Sequence, residues 1–103
     1  MKLVLLAFNV IHDDAIRAIL VRLRVPGFTE VPRVFGSGES GKRFGTHAFP
    51  GHNTMLLAVL PDDQVEPCLA EIAAFKADIA QKSKRHGGHG EIRAFVLNVE
   101  RTV

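Results

Sequence analysis

Two strand-length runs with almost no polar residue, Lys2–Asn9 (KLVLLAFN) and Thr54–Leu60 (TMLLAVL), constrain this chain more than any other feature. A strand sends successive side chains to opposite faces, so a run that is apolar at every position is one covered on both sides. A chain of 103 residues supports a single core, burying about 65% of its unfolded surface. Both runs are therefore expected in the centre of one sheet, and a multidomain enzyme with its own cofactor domain is excluded.

The segments around them complete a pattern. Asp13 and Asp14 place negative charge where a helix begins. Ile16, Ile19, Leu20 and Leu23 follow at helical spacing, Arg17, Arg22 and Arg24 point elsewhere, and Pro26-Gly27 is read as the stop. Thr29–Phe35 reads as a strand. Pro32 has no N–H for a ladder, which puts that strand at an edge. Asp63 and Glu66 form a D-x-x-E capping box, with Pro67 in the first turn. Val65, Leu69, Ile72, Lys76 (by its stem) and Ile79 make the next helical stripe, and Ala70, Ala73, Ala74, Ala77 and Ala80 allow close packing. Glu91–Val99 is the last strand. The order β-α-β-β-α-β predicts an α+β, ferredoxin-like domain over 1–103, with a four-stranded antiparallel sheet and two helices on one face.

Composition removes several functions. Thirteen Lys and Arg against eleven Asp and Glu give a net charge of +2, no footprint for nucleic acid. RNA-binding sheets of this plan stack bases on strand aromatics; here Phe8 is the one aromatic in the two central runs. A single cysteine, Cys68, excludes an internal disulfide and any CxxC metal or redox motif, and is read as a small buried apolar residue. The opening MKLVLLAFNV is too short for a signal-peptide core, and no stretch nears the ~18–20 apolar residues of a membrane span. A cytoplasmic protein without direct membrane insertion is expected.

Function is expected in two Gly-rich loops, Gly36–Gly51 and Lys82–Gly90. Gly36-x-x-x-x-Gly41-Lys42 copies part of a phosphate-binding P-loop, but Arg43 stands where Ser or Thr would hold magnesium, and no helical stripe follows. Lys42 and Arg43 on a Gly-rich backbone remain candidates for cradling an anion; a solvated protein-contact loop is the equal alternative. In the second loop, Lys82, Lys84 and Arg85 suit the end of a helix, and Gly87, Gly88 and Gly90 permit close backbone approach. His86 and His89 have H-x-x-H spacing, and His47 and His52 lie in the first loop. These four are the candidate ligands for zinc, copper or nickel, set against ordinary exposed histidines. His12, beside a helix start, is read as a surface residue. Ser37, Ser40, Thr46 and Ser83 lack a neighbouring base in a nucleophile elbow, and Asp13/Asp14 and Asp62/Asp63 sit where helix starts want them. No catalytic residue is assigned.

Several short motifs in order resemble one family. Val25-Pro26-Gly27-Phe28-Thr29-Glu30-Val31 resembles the G-[M/F]-T segment of the P-II nitrogen-regulatory signalling family. Val34-Phe35-Gly36-Ser37-Gly38 resembles the G-F-G stretch entering its T-loop. Gly88-His89-Gly90-Glu91-Ile92 resembles its G-D-G-K-I motif, and Val99-Glu100-Arg101 its V-E-x segment. The resemblance implies a non-catalytic homotrimer with sheets facing inward, adenine-nucleotide sites in clefts between subunits, and control of a protein partner such as a membrane transporter. It places Gly27, Phe28, Thr29, Gly36, Gly38, Gly88, His89 and Gly90 in the cleft. Lys42 and Arg43 join them on charge alone.

The chain also departs from that family. The T-loop is shortened, and with no Tyr the family's uridylylated tyrosine has no counterpart. Glu91 replaces the phosphate-binding Lys, and paired arginines are missing after the last strand. These departures argue against ATP bound in the family's standard mode. They describe a divergent member that senses an adenine nucleotide or a divalent metal and controls a transporter or metal-efflux system through Gly36–Gly51. The competing expectations are a CutA-like divalent-cation tolerance protein of the same trimeric plan, and a small ferredoxin-fold enzyme working through a group such as His47 or His89.

Overall fold

The computed structural model describes residues 1–38, 41–43, 52–83 and 92–103. β1 (Lys2–Asn9) passes through a single 3₁₀ turn at Val10–His12 into α1 (Asp13–Arg22). Then come β2 (Thr29–Val34), β3 (Gly36–Gly38), β4 (Gly41–Arg43), β5 (Asn53–Leu60), α2 (Asp62–Ser83) and β6 (Ile92–Asn98). Four strands form one sheet in the order β2-β5-β1-β6, every neighbouring pair antiparallel. This is the ferredoxin-like arrangement, and the two apolar runs are its central strands.

Pro32 does lie on an edge strand, and it does more than avoid a ladder. Val31 pairs with Met55 and Val34 with Asn53, so Pro32 and Arg33 together oppose Thr54 in a β-bulge. Arg33 sits there at φ 58°, a backbone region that disfavours L side chains.

The end of α1 differs from expectation. The helix finishes at Arg22, before Pro26-Gly27 can act. Arg24 at φ 56° closes it: its N–H donates to the Val21 carbonyl at 3.0 Å and the Val25 N–H donates to the Leu20 carbonyl at 3.1 Å. These are the two bonds of a Schellman cap, formed around an Arg where Gly is usual.

α2 starts at Asp62, so Asp63 lies inside the first turn and does not cap it. Pro67 accordingly falls in the second turn, where its missing N–H leaves the Asp63 carbonyl without its helical donor.

Alternation along the strands builds the core. Val4, Leu6 and Phe8 of β1, Leu56, Ala58 and Leu60 of β5, and Ile92 of β6 face the helices; Ile16, Ile19 and Leu20 of α1 and Val65, Cys68 and Ile72 of α2 meet them. Burial pushes the Cys68 thiol pKa up, which keeps it a protonated packing group. Phe75 completes the α2 stripe, while Lys76 and the five alanines expected to pack closely are exposed.

The opposite face of the sheet carries no helix among the described residues, yet it is apolar too. The pairing register sets Thr29, Leu57, Leu5 and Phe95 in one row across the four strands. Leu3 with Val59 and Leu97 forms the adjoining row. Phe95 and Leu97 are about half exposed, at 52% and 50%. Continuous apolar rows of this kind are uncommon on a face open to water.

Candidate functional site

The Gly36–Gly51 segment, expected as a loop throughout, contains a short hairpin. Gly36 pairs with Arg43, Ser37 with Lys42 and Gly38 with Gly41. Glycine at three of these six positions suits a narrow arm with little packing of its own. Lys42 thus lies in a strand, and not in the first turn of a helix, which removes the geometry a P-loop needs. Gly36, Gly38, Lys42 and Arg43 are brought together along one hairpin. Gly88, His89, Gly90, His86 and His47 lie outside the described residues, as does Glu91.

The topology fixes where both Gly-rich segments attach. Asn53, at the start of β5, pairs with Asn9 at the end of β1 and Val34 at the end of β2. Ile92, at the start of β6, pairs with Phe8. Val34, Asn53 and Ile92, flanks of the two segments, therefore meet at one end of the sheet. That end is tied by a backbone bond from the Val10 N–H to the His52 carbonyl at 2.9 Å and by Asn9, whose Oδ1 accepts from the Ile11 N–H at 3.0 Å.

Gly27, Phe28 and Thr29 lie at the other end of β2. Six residues, most of them in β2, separate Thr29 from Gly36, roughly 20 Å at strand spacing. Within one chain the structure does not bring these two groups together. Gly27 has open space around it, since an added Cβ would meet nothing within 4 Å. The three residues alternate as a strand does: Gly27 and Thr29 are exposed, Phe28 is half-buried against the core.

Arg17 lies against this segment, a contact missed when the sequence spacing pointed it away from the core stripe. Its Nη2 donates to Glu30 Oε1, its Nε donates to Asp13 Oδ2 at 3.1 Å, and its guanidinium carbon lies 5.7 Å from the centroid of the Phe28 ring. The Glu30 bond first and the Asp13 bond second raise the guanidinium pKa further. The signal available beforehand was the i,i+4 pair Asp13/Arg17; the contact to Glu30 requires the fold.

His12 is the second correction. It is buried, at 9% exposure, with its ring edge-on to Phe75 at a centroid separation of 5.6 Å. Its Nε2 finds no hydrogen-bond partner among the described residues. Burial lowers its pKa below the ordinary value of 6.5, because a charged imidazolium there loses water and gains no acceptor. Unfolding restores the ordinary value, so across the interval below 6.5 the unfolded chain binds more protons. The neutral ring's contribution is whole above that value and is lost as pH falls toward the lowered one. Urea midpoints measured from pH 7.5 to 5.0 should fall more steeply for the wild type than for His12→Leu; parallel curves would refute this. Comparing the two chains cancels the other histidines.

Among the described residues no three His, Cys, Asp or Glu side chains gather as metal ligands. No described helix is long and apolar enough to cross a membrane.

Comparison with known proteins agrees with the architecture. A search of the curated proteins found no significant match. Among solved structures, CPII from Thiomonas intermedia K12, a nitrogen regulatory PII-like protein bound to ADP, AMP and bicarbonate, superposes with a TM-score of 0.68 at 22% identity, covering 97% of this chain and 88% of that one. Its apo form gives 0.61 at 20% identity, covering 98% and 92%. A signalling protein of Thermus thermophilus described as PII-like gives 0.60 at 19% identity, covering 95% and 85%. These likenesses are of fold. The family model described as Nitrogen regulatory protein P-II matches residues 1–103. With the ferredoxin-like sheet, the Gly-rich hairpin arm and a match over every residue, the chain belongs to the P-II family of regulatory, non-catalytic signalling proteins.

Proposed function

We propose that this chain acts as a homotrimeric sensor that binds an adenine nucleotide in clefts between subunits and signals through residues Gly36–Gly51. Residues 1–103 serve as one P-II-like domain. The observation that carries the reading is the roughly 20 Å of strand between Gly27–Thr29 and Gly36–Gly38. Two segments with the character of a binding surface, at opposite ends of one edge strand, form a single cleft only when a second copy supplies one of them. The apolar row Leu57, Leu5 and Phe95 on the uncovered sheet face gives copies a reason to associate. The open space at Gly27 suits close approach by a ligand.

ADP and AMP are the effectors of choice, because CPII is described with both. Diphosphate or monophosphate also tolerates Glu91 better than a triphosphate would. Lys42 and Arg43 supply cations along the hairpin, and Gly88, His89 and Gly90 complete the cleft. Occupancy selects one arrangement of Gly36–Gly51, a shift that requires the nucleotide to bind the two arrangements unequally. The partner read from that arm is a membrane transporter or efflux component, and the protein works in the cytoplasm. Titration calorimetry with ADP, AMP and ATP, each with and without zinc, copper or nickel, tests the reading. Saturable heat from ADP or AMP supports it. Silence from every nucleotide overturns it, and heat from metals alone favours the CutA-like alternative, with His86, His89, His47 and His52 as ligands.

A further inference from the structure

We propose that Arg17 is the positioning residue of the effector cleft, holding the phase of the edge segment Phe28–Glu30 so that the Thr29 hydroxyl faces outward. The inference rests on the reading of Gly27–Thr29 as cleft residues. Edge strands are weakly specified: β2 has a ladder on one side, and its bulge at Pro32-Arg33 breaks that ladder after Val31. A slip of one residue in such a strand exchanges its two faces, turning Thr29 inward and Phe28 outward.

Something must hold the phase, and the backbone supplies little. Pairing at Thr29, Glu30 and Val31 is all that ties the start of β2 to β5. Arg17 contacts both residues that must face inward. Its planar fork reaches Glu30 with one nitrogen and Asp13 with another, while its guanidinium carbon lies over the Phe28 ring. Asp13 holds the guanidinium from the first turn of α1, so the clamp is referred to a rigid helix and not to the strand itself. Arg17, Asp13 and Glu30 are 34%, 26% and 31% exposed, so water screens the group only in part. Lys would bring a point charge without the fixed planar fork that directs the two bonds. No part of Arg17 needs to reach the ligand; it acts through Thr29.

The test uses full-length wild type, Arg17→Met, Thr29→Val and the double variant. Met keeps the apolar stem, and Val keeps the shape of an exposed Thr, so all four should fold. Titrated with ADP, each single variant should lose about tenfold in affinity, and the double variant should lose no more than Thr29→Val alone. A further loss in the double variant would mean that Arg17 acts other than through Thr29, and unchanged affinity in Arg17→Met would remove its role altogether; either result overturns the proposal. Amide hydrogen exchange without nucleotide gives a second, independent readout. Arg17→Met should speed exchange at Glu30 and Val31 while β1 and α2 keep wild-type protection. Uniform acceleration, or none, overturns the positioning role. Wild type that binds no ADP would instead defeat the cleft reading, and the exchange data would still decide what Arg17 does.

Discussion

Leu57→Asp should turn the assembly into monomers while leaving each chain folded. Leu57 sits at the middle of the uncovered sheet face, paired with Leu5 on one side and Thr29 on the other. Its neighbours on the helix-facing side, Leu56 and Ala58, are untouched by the change because strand side chains alternate. In an isolated chain the new carboxylate is solvated at little cost. In a sheet-to-sheet interface it is buried without a partner, at about 3–5 kcal/mol per subunit. That is roughly a thousandfold in association for each copy. Sedimentation velocity should show the wild type at three times the chain mass and the variant at the chain mass, with the same far-UV circular dichroism. A wild-type monomer, or a Leu57→Asp trimer, would refute the role assigned to this face.

Phe8→Ala should have the opposite consequence, unfolding the chain before association matters. Phe8 is 1% exposed and is among the largest fully buried side chains. It lies at the end of β1, where Thr54 and Ile92 are its cross-strand partners. Both partners are themselves buried, so neither can move far to fill the space. Truncating a buried Phe costs about 3–5 kcal/mol in transfer energy and cavity formation. A domain of this size holds only some 5–15 kcal/mol in total, so the urea midpoint should fall by about a fifth or more. The damage is sited where the flanks of both Gly-rich segments attach. A loss below about 1 kcal/mol would mean that the core closes over the gap and that this end of the sheet is softer than its burial indicates.

These two residues also show how the fold could be read from sequence. Lys2–Asn9 and Thr54–Leu60 are apolar at nearly every position, toward both faces, and that implies two covered faces. The helices account for one, through Val4, Leu6, Phe8, Leu56, Ala58 and Leu60. The other, through Leu3, Leu5, Leu57 and Val59, carries no helix among the described residues. Pro32 placed β2 at the edge for a reason intrinsic to proline. Local signals failed where tertiary context overrode them. Pro26-Gly27 is a strong stop, but Arg24 ends α1 first by adopting a left-handed conformation that no propensity assigns to Arg. Asp63 had the capping spacing, yet α2 begins one residue earlier.

The site was legible in composition more than in geometry. Gly27, Phe28 and Thr29 were marked by resemblance and Lys42 and Arg43 by charge. Nothing local could say that the first group sits at the far end of β2 from the hairpin, because that follows from strand register. His12 looked like an exposed helix-flanking histidine, and its burial depends on Phe75, far away in sequence on α2. Arg17 looked like one of three outward arginines, and Glu30 makes it a clamp. In both cases the decisive partner belongs to another element.

A binding cleft formed between copies of the chain should vanish with the assembly, which titration calorimetry with ADP on wild type and Leu57→Asp side by side will show. The expected result is one ADP per chain for the wild-type assembly and no measurable binding to the folded monomer. Equal affinity in both would place the site within a single chain and rule out a cleft between copies.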